Sequence, residues 1–230
     1  MKVLAIDTSN FTLGIALTDG DQVVGEYVTN LKKNHSLRVM PAIESLLRDC
    51  DTKPAELEKI VVAKGPGSYT GVRIGVTIAK TLAWTLNIPL VGISSLEALA
   101  ANGRYFNGMI SPLFDARRGQ IYTGLYQFTE SGLECRGEDK NMLAVEWAQK
   151  LKELNEPVLF VGQDIAIHVD TLKDVLGEKA YFIPVQAYNP RPAELAFLGR
   201  DKKQEDVHMF VPNYVRMAEA EVKWLEQQKK

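Results

Sequence analysis

Hydrophobic and polar positions follow two rhythms along the chain. Three short apolar runs open it, "KVLAID", "LGIALTD" and "QVVGEYVT", separated by the polar turn "TSNF" and by "DGD", and this pattern predicts an antiparallel meander over residues 2–29. The rhythm then lengthens. In "HSLRVMPAIESLLRDC", Leu37, Met40, Ile43, Leu46 and Leu47 recur at three- and four-residue spacing, which predicts a helix over 35–50 that Pro41 bends. "KIVVA" is a near-continuous apolar run, as in a central strand covered on both faces. It leads into "VVAKGPGSYTGVRIGVTIAKTLAW", where a glycine-rich turn opens an apolar helix. "IPLVGISS" reads as another buried strand and "SLEALAAN" as a short helix, so strands and helices alternate as in a sheet with helices packed on it.

The loop "NGRYFNG", residues 102–108, closes this first unit, and a similar order starts again. "MISPLFDA" and "GQIYTGLYQF" read as strands, followed by the polar segment "ESGLECRGEDK". "AVEWAQKLKEL", "DIAIHVDTLKDVL" and "PAELAFLGRDKK" read as helices, with the strand "PVLFVG" among them. The expected division is a first lobe over 1–104 and a thinner second lobe over 105–230. The charged end of "VPNYVRMAEAEVKWLEQQKK" is expected as a solvated helix or frayed end.

A chain of 230 residues can bury about 70 to 75 per cent of its unfolded surface, enough for a packed core. The 27 Lys and Arg against 29 Asp and Glu give a net charge of −2, so no overall field draws the chain onto nucleic acid or anionic lipid. Cys50 and Cys135 have neither metal-type nor redox spacing and are expected as free, buried thiols in a reducing compartment. No apolar run approaches the roughly 18 residues of a membrane span, and "MKVLAIDTS" has no basic leader pattern; a soluble, cytoplasmic protein is expected.

Two places offer candidate chemistry. Asp7 at the end of the first strand, with Thr8, Ser9 and the turn amides, has the makings of a site for a hydrated cation and a phosphate. The same residues equally suit an ordinary turn that satisfies its own backbone. A second phosphate jaw falls at "FDARRGQIY", where Ala116, Arg117 and Arg118 precede Gly119. Two bulky cations reach phosphate only through their side chains, not as a tight amide cradle; the alternative is an exposed hairpin turn. The glycine-rich turn matches neither phosphate motif: no lysine follows Gly71, and Gly65, Gly67 and Gly71 space as G-x-G-x-x-x-G.

The helix after that turn carries Gly71, Gly75, Ala79 and Ala83 every fourth residue, a stripe of small side chains that allows another element to approach closely. Either the protein's own sheet or a second chain can fill it. His35 lacks the second histidine that a helical metal site needs four residues on, where Val39 stands. No nucleophile with a base is positioned by sequence.

"AIDTSNFTLGIAL", "HSLRVMPAIESLL", "KGPGSYTGVRIGVTIAKTLAW", "GISSLEALA", "DARRGQIYTGLYQ" and "VPNYVR" together resemble the TsaB family. The resemblance spans nearly the whole chain and is loose over 126–200. It implies the two-lobed α/β fold of actin, hexokinase and Hsp70, a ribonuclease H-like fold, with a reduced second lobe. It further implies a non-catalytic subunit that supports TsaD in transferring threonylcarbamoyl to the adenosine beside the tRNA anticodon, with the ATPase TsaE as a third component. Alone, such a chain pairs with itself. The implied partner interface draws on His35, Val39, Met40, Ile43, Gly71, Gly75 and Ala79, and Asp7, Thr8, Ser9, Arg117 and Arg118 are a vestigial phosphate site. No cofactor is required, with ATP or ADP and magnesium at most weakly held or shared at the contact. The charge balance argues against extensive direct tRNA contact. The alternatives are an active ATP- and magnesium-dependent enzyme of the actin-like kinase class and an M22-type metallopeptidase.

Overall fold

The computed structural model describes residues 1–31 and 33–215. β1 (Lys2–Asp7), β2 (Leu13–Asp19) and β3 (Gln22–Thr29) form the expected meander. β4 (Lys59–Ala63) and β5 (Leu90–Ile93) extend it in parallel, giving the order β3-β2-β1-β4-β5. α1 (Val39–Asp49) and α2 (Tyr69–Leu86) cover one face of this sheet, where Leu4, Ile6, Ile60 and Val62 meet Ile43, Leu47, Val72 and Val76. A 3-10 turn over His35–Leu37 precedes α1, so the expected single helix is two pieces and Pro41 sits in the first turn of the second, where proline is tolerated.

β6 (Met109–Asp115), β7 (Gln120–Thr129) and β8 (Gly132–Leu143) open a second sheet that β9 (Val158–Val161) and β10 (Ala180–Phe182) complete in the order β10-β9-β6-β7-β8. α4 (Ala144–Leu154) and α5 (Ile165–Leu176) supply Trp147, Leu151, Ile165 and Leu172 to its core. β8 is the polar segment 130–140 that sequence leaves without an element. It pairs with β7 along most of its length as a sheet edge, where charged residues face solvent and discourage further pairing.

The expected division at 104/105 is corrected at both sides. α3 (Ser95–Ala100), although early in the chain, gives Leu96, Leu99 and Ala100 to the second core. Each fully buried leucine contributes about 1.5 to 3 kcal/mol relative to exposure, so this helix ties the lobes together. α6 (Pro192–Arg200), although late, crosses back to the far face of the first sheet, where Leu195 and Ala196 pack with Ala5, Val61 and Val91. Gly199 permits the approach, since a Cβ there would stand 2.4 Å from Val61.

Residues 201–215 then run along the outer edge of β5. Glu205 donates its amide to the Leu90 carbonyl at 2.8 Å, Phe210 is buried beside Gly92, and the Asn213 amide bonds the Lys64 carbonyl at 2.7 Å. The helix or frayed end expected at the end of the chain lies outside the described residues beyond Val215. Asp139 of β8 accepts a hydrogen bond from Tyr126 Oη of the same sheet at 2.6 Å and, from the first lobe's segment after β5, another from Ser94 Oγ, the N-cap of α3. Burial pushes the Asp139 carboxyl above the usual range, and these bonds partly offset it. Of the cysteines, Cys50 is half-buried and Cys135 is exposed on β8, which corrects the expectation of two buried thiols.

Candidate functional site

Between the lobes lies a cleft of about 570 Å³, lined by Ser9, Asn10, Gly67, Asp115, Arg117 and Asp164 among others. Its first wall is the β1–β2 turn, most of whose polar groups bond within the protein, while the buried Asn10 Nδ2 has no partner among the described residues. Asp7 Oδ1 accepts from the Ser9 amide at 2.8 Å and from Ser9 Oγ at 2.7 Å, the Thr12 amide goes to Asn10 Oδ1 at 2.7 Å, and Thr8 Oγ1 donates to the Gly71 carbonyl at 2.7 Å. The Ser9 carbonyl receives the Ser68 amide at 2.7 Å. Of the two readings open for Asp7, Thr8 and Ser9, the structure supports the self-satisfied turn.

The glycine-rich turn lies directly on this wall. A Cβ at Gly67 would stand 2.1 Å from the Ser9 carbonyl, one at Gly71 2.2 Å from the Thr8 carbonyl, and one at Gly75 2.4 Å from Thr8 Oγ1. Here glycine lets two backbones meet, the role a phosphate would otherwise take at a glycine-rich helix start. Gly71, Gly75, Ala79 and Ala83 are all buried against the protein's own turn and sheet. The assignment of Gly71, Gly75 and Ala79 to a partner interface is therefore corrected: all three are buried within the chain, Gly71 and Gly75 against Thr8 of the β1–β2 turn and Gly75 also against Val62 of β4.

The second wall is the β6–β7 hairpin. Arg117 (φ 65°), Arg118 (φ 55°) and Gly119 (φ 72°) all adopt left-handed conformation, which makes the two arginines residues of a tight turn. The amides that a phosphate jaw needs are again engaged, Asp115 N–H to Asp164 Oδ2 at 2.9 Å and Ala116 N–H to the Gln120 carbonyl at 2.8 Å. Asp115 Oδ1 meets buried His168 Nε2 at 3.0 Å. Burial and then the neighbouring Asp115 hold Asp164 above the ordinary carboxylate range, opposed by the bond from the Asp115 amide. Sequence reasoning passed over Asp164 and set His168 aside as isolated; their only signal is that one is the N-cap of α5 and the other lies one turn into that helix, which faces the strand end at Asp115.

Burial also raises the Asp7 carboxyl, opposed in part by the two Ser9 bonds and by His35. Ionising it therefore costs more in the folded than in the unfolded chain. Its contribution favours folding most at acid pH and declines as pH rises from the unfolded value through the higher folded value. Asp7→Asn keeps an acceptor for both Ser9 donors. Its melting temperature is expected to exceed the wild type at about pH 8, with the gap closing toward about pH 4, in paired thermal melts.

A different surface lies on the outer side of α1 and α2. Met40 (45% exposed), Tyr69, Arg73, Ile74, Thr77 and Ile78 line one shallow groove of about 560 Å³. Met40 also joins Pro41, Ile43, Leu47, Leu57, Leu82 and Leu86 around an apolar groove of about 570 Å³ between the two helices. Leu37 (76%) and Trp84 (66%) stand out beside them. Of the expected interface set, Met40 is on this surface and Ile43 forms part of its floor. Val39 is wholly buried, and His35 is half-buried with Nε2 2.9 Å from the Asn10 carbonyl. Ile74 and Ile78 are apolar positions on faces that neighbour the small-residue stripe, whereas Tyr69 and Trp84 were missed because the stripe drew attention to another side of the same helix.

Two lobes, each a mixed five-stranded sheet carrying helices, joined across a cleft, define a member of the actin-like class. Comparison with known proteins agrees. A solved structure of an uncharacterized protein with similarity to peptidase YEAZ from Pseudomonas aeruginosa superposes with a TM-score of 0.80 at 21% identity, covering 94% of this chain and 99% of that one. The ethanolamine utilization protein EutJ from Carboxydothermus hydrogenoformans superposes with a TM-score of 0.51 at 14% identity, covering 86% of this chain and 90% of that one. The family model described as "TsaD: tRNA N6-adenosine threonylcarbamoyltransferase" matches residues 22–224. The tRNA threonylcarbamoyladenosine biosynthesis protein TsaB of Bacillus subtilis is 61% identical over 229 residues, all of both chains, and that of Escherichia coli is 32% identical over 70% of this chain and 71% of its own. The chain belongs to the TsaB family of tRNA threonylcarbamoyladenosine biosynthesis proteins.

Proposed function

We propose that this protein is a non-catalytic subunit that docks on a TsaD-type transferase through the outer face of α1 and α2 and supports threonylcarbamoyl transfer to the adenosine beside the tRNA anticodon. The observation that carries this reading is the contrast between two surfaces. The cleft binds its own amides and carboxylates, whereas the α1–α2 face leaves Leu37, Met40, Tyr69 and Trp84 exposed around two apolar grooves. TsaE is the further component, and without its partners the chain pairs with itself. No nucleotide is required; ATP or ADP with magnesium is at most weakly held or shared at the contact. The net charge of −2 supports little direct tRNA contact. No helix among the described residues is long and apolar enough to cross a membrane, which fits the proposed cytoplasmic setting.

An actin-like ATP-dependent enzyme is supported only by the cleft's shape, and its phosphate-facing amides are those already engaged. A metallopeptidase would need ligands, and among the described residues no three His, Cys, Asp or Glu side chains gather to hold a metal. Mixing the chain with the TsaD-type transferase on a sizing column tests the docking reading. One co-eluting complex is expected, and separate elution at concentrations of about 10 µM, where a Kd tighter than about 1 µM gives mostly complex, contradicts it.

A further inference from the structure

The β3–α1 loop, which carries Leu37 and leads into Met40, has little of its own to hold it. Its 3-10 turn His35–Leu37 buries no residue, so polar ties set its position. Among its described residues, two side-chain bonds join it to the rest of the first lobe: Arg38 donates to Thr29 Oγ1, and His35 Nε2 meets the Asn10 carbonyl. The third comes from the other lobe. Gln163 Nε2 reaches across to Asn30 Oδ1 at 2.9 Å, to Thr12 Oγ1 at 3.1 Å and to Asn189 Oδ1. Asn30 Nδ2 in turn donates to Asn189 Oδ1 at 2.9 Å, and Thr12 Oγ1 to Asn30 Oδ1 at 2.7 Å. Asn189 is itself fixed, because its carbonyl accepts from Asn102 Nδ2 at 2.7 Å.

The aim of Gln163 is built into the backbone before it. Gly162 has φ +140°, and a Cβ there would stand 2.4 Å from the Leu113 carbonyl. Only glycine lets the chain leave β9 so close to β6 and turn the next side chain toward the first lobe. Every member of the network is a neutral amide or hydroxyl, so it specifies one geometry at little desolvation cost compared with a charged pair.

We propose that Gln163 is a positioning residue for the docking face: through Asn30, Thr12 and Asn189 it lets the second lobe hold the β3–α1 loop in the arrangement that presents Leu37 and Met40 to the partner. This rests on the docking reading above. It gives the second lobe a task in docking, although that lobe lies away from the α1–α2 face.

The test uses Gln163→Ala, which removes the side chain, and Gln163→Glu, which keeps its shape and loses the donor. Hydrogen exchange of the peptide spanning 30–38 is measured in the free protein, and affinity for the TsaD-type transferase by titration. Both variants are expected to exchange at least about threefold faster in that peptide while the β1 and β4 peptides stay protected, and to bind about 5- to 10-fold more weakly, as for loss of one or two partly exposed hydrogen bonds of about 1 kcal/mol in total. Unchanged exchange in both variants overturns the latch whatever the partner does. Faster exchange with wild-type affinity overturns its role in docking. Met40→Asp serves as the separate control: wild-type affinity in that variant would remove the docking reading itself, while the exchange measurement still judges the latch.

Discussion

Gly71→Ala is expected to destabilise the fold by about 2 to 3 kcal/mol, lowering the melting temperature by about 5 to 10 °C in thermal unfolding. On helix propensity alone the change should help, since alanine is favoured over glycine by about 1 kcal/mol within a helix. Packing reverses the sign. The added methyl would stand 2.2 Å from the Thr8 carbonyl and 3.3 Å from Ser68 Cβ, and the first of these is backbone that is held in place by β1. Relief requires α2 to lift from the β1–β2 turn, which also stretches the bond from Thr8 Oγ1 to the Gly71 carbonyl and that from Ser68 N–H to the Ser9 carbonyl. A variant as stable as the wild type would show that α2 does not press on that turn.

The second large effect lies on the outer face that α1 and α2 share. Met40→Asp combined with Ile74→Asp is expected to weaken binding to the TsaD-type transferase by about 100-fold or more, in titration calorimetry, while the melting temperature changes by less than about 5 °C. Met40 is 45% exposed and Ile74 half-buried, so charges there remain solvated in the free protein. In a docked complex they would be desolvated in the middle of an apolar contact, and central residues of such contacts commonly account for 2 kcal/mol or more each. The double variant therefore separates docking from folding, whereas substitutions in the small-residue stripe confound them. Retained affinity would place the contact elsewhere on the protein.

Much of the fold is legible in the chain because its periodicities are clean. "KVLAID", "LGIALTD", "QVVGEYVT" and "KIVVA" coincide with β1 to β4, each bounded by turn residues or charge. The unbroken apolar run of "KIVVA" even requires cover on both faces, and α6 provides the second cover; its sequence distance hides this, since periodicity says that a face is buried and not what buries it. The stripe at Gly71, Gly75 and Ala79 illustrates the same limit. Four-residue spacing shows that something approaches closely, and only the fold shows that it is Thr8. β8 escaped because its edge position selects charge over alternation. Gln163, and Asp139 through Ser94, escaped because a residue that bonds across lobes leaves no local pattern, apart from the glycine that precedes Gln163.

Reconstituted threonylcarbamoyl transfer is the most direct measure of the central claim, that this protein acts by docking and not by running a reaction in its own cleft. Modified adenosine in tRNA would be quantified with the TsaD-type transferase and TsaE present, adding wild-type chain, the Met40→Asp/Ile74→Asp variant, or a variant altered only in the cleft, Asp115→Asn. The account predicts full stimulation by the wild type and by Asp115→Asn, and loss of about 90 per cent with the docking variant at a concentration of about ten times the wild-type Kd, where a 100-fold weaker Kd leaves about a tenth of the sites filled. Modification by this chain alone, or a docking variant that stimulates normally while Asp115→Asn does not, would contradict it.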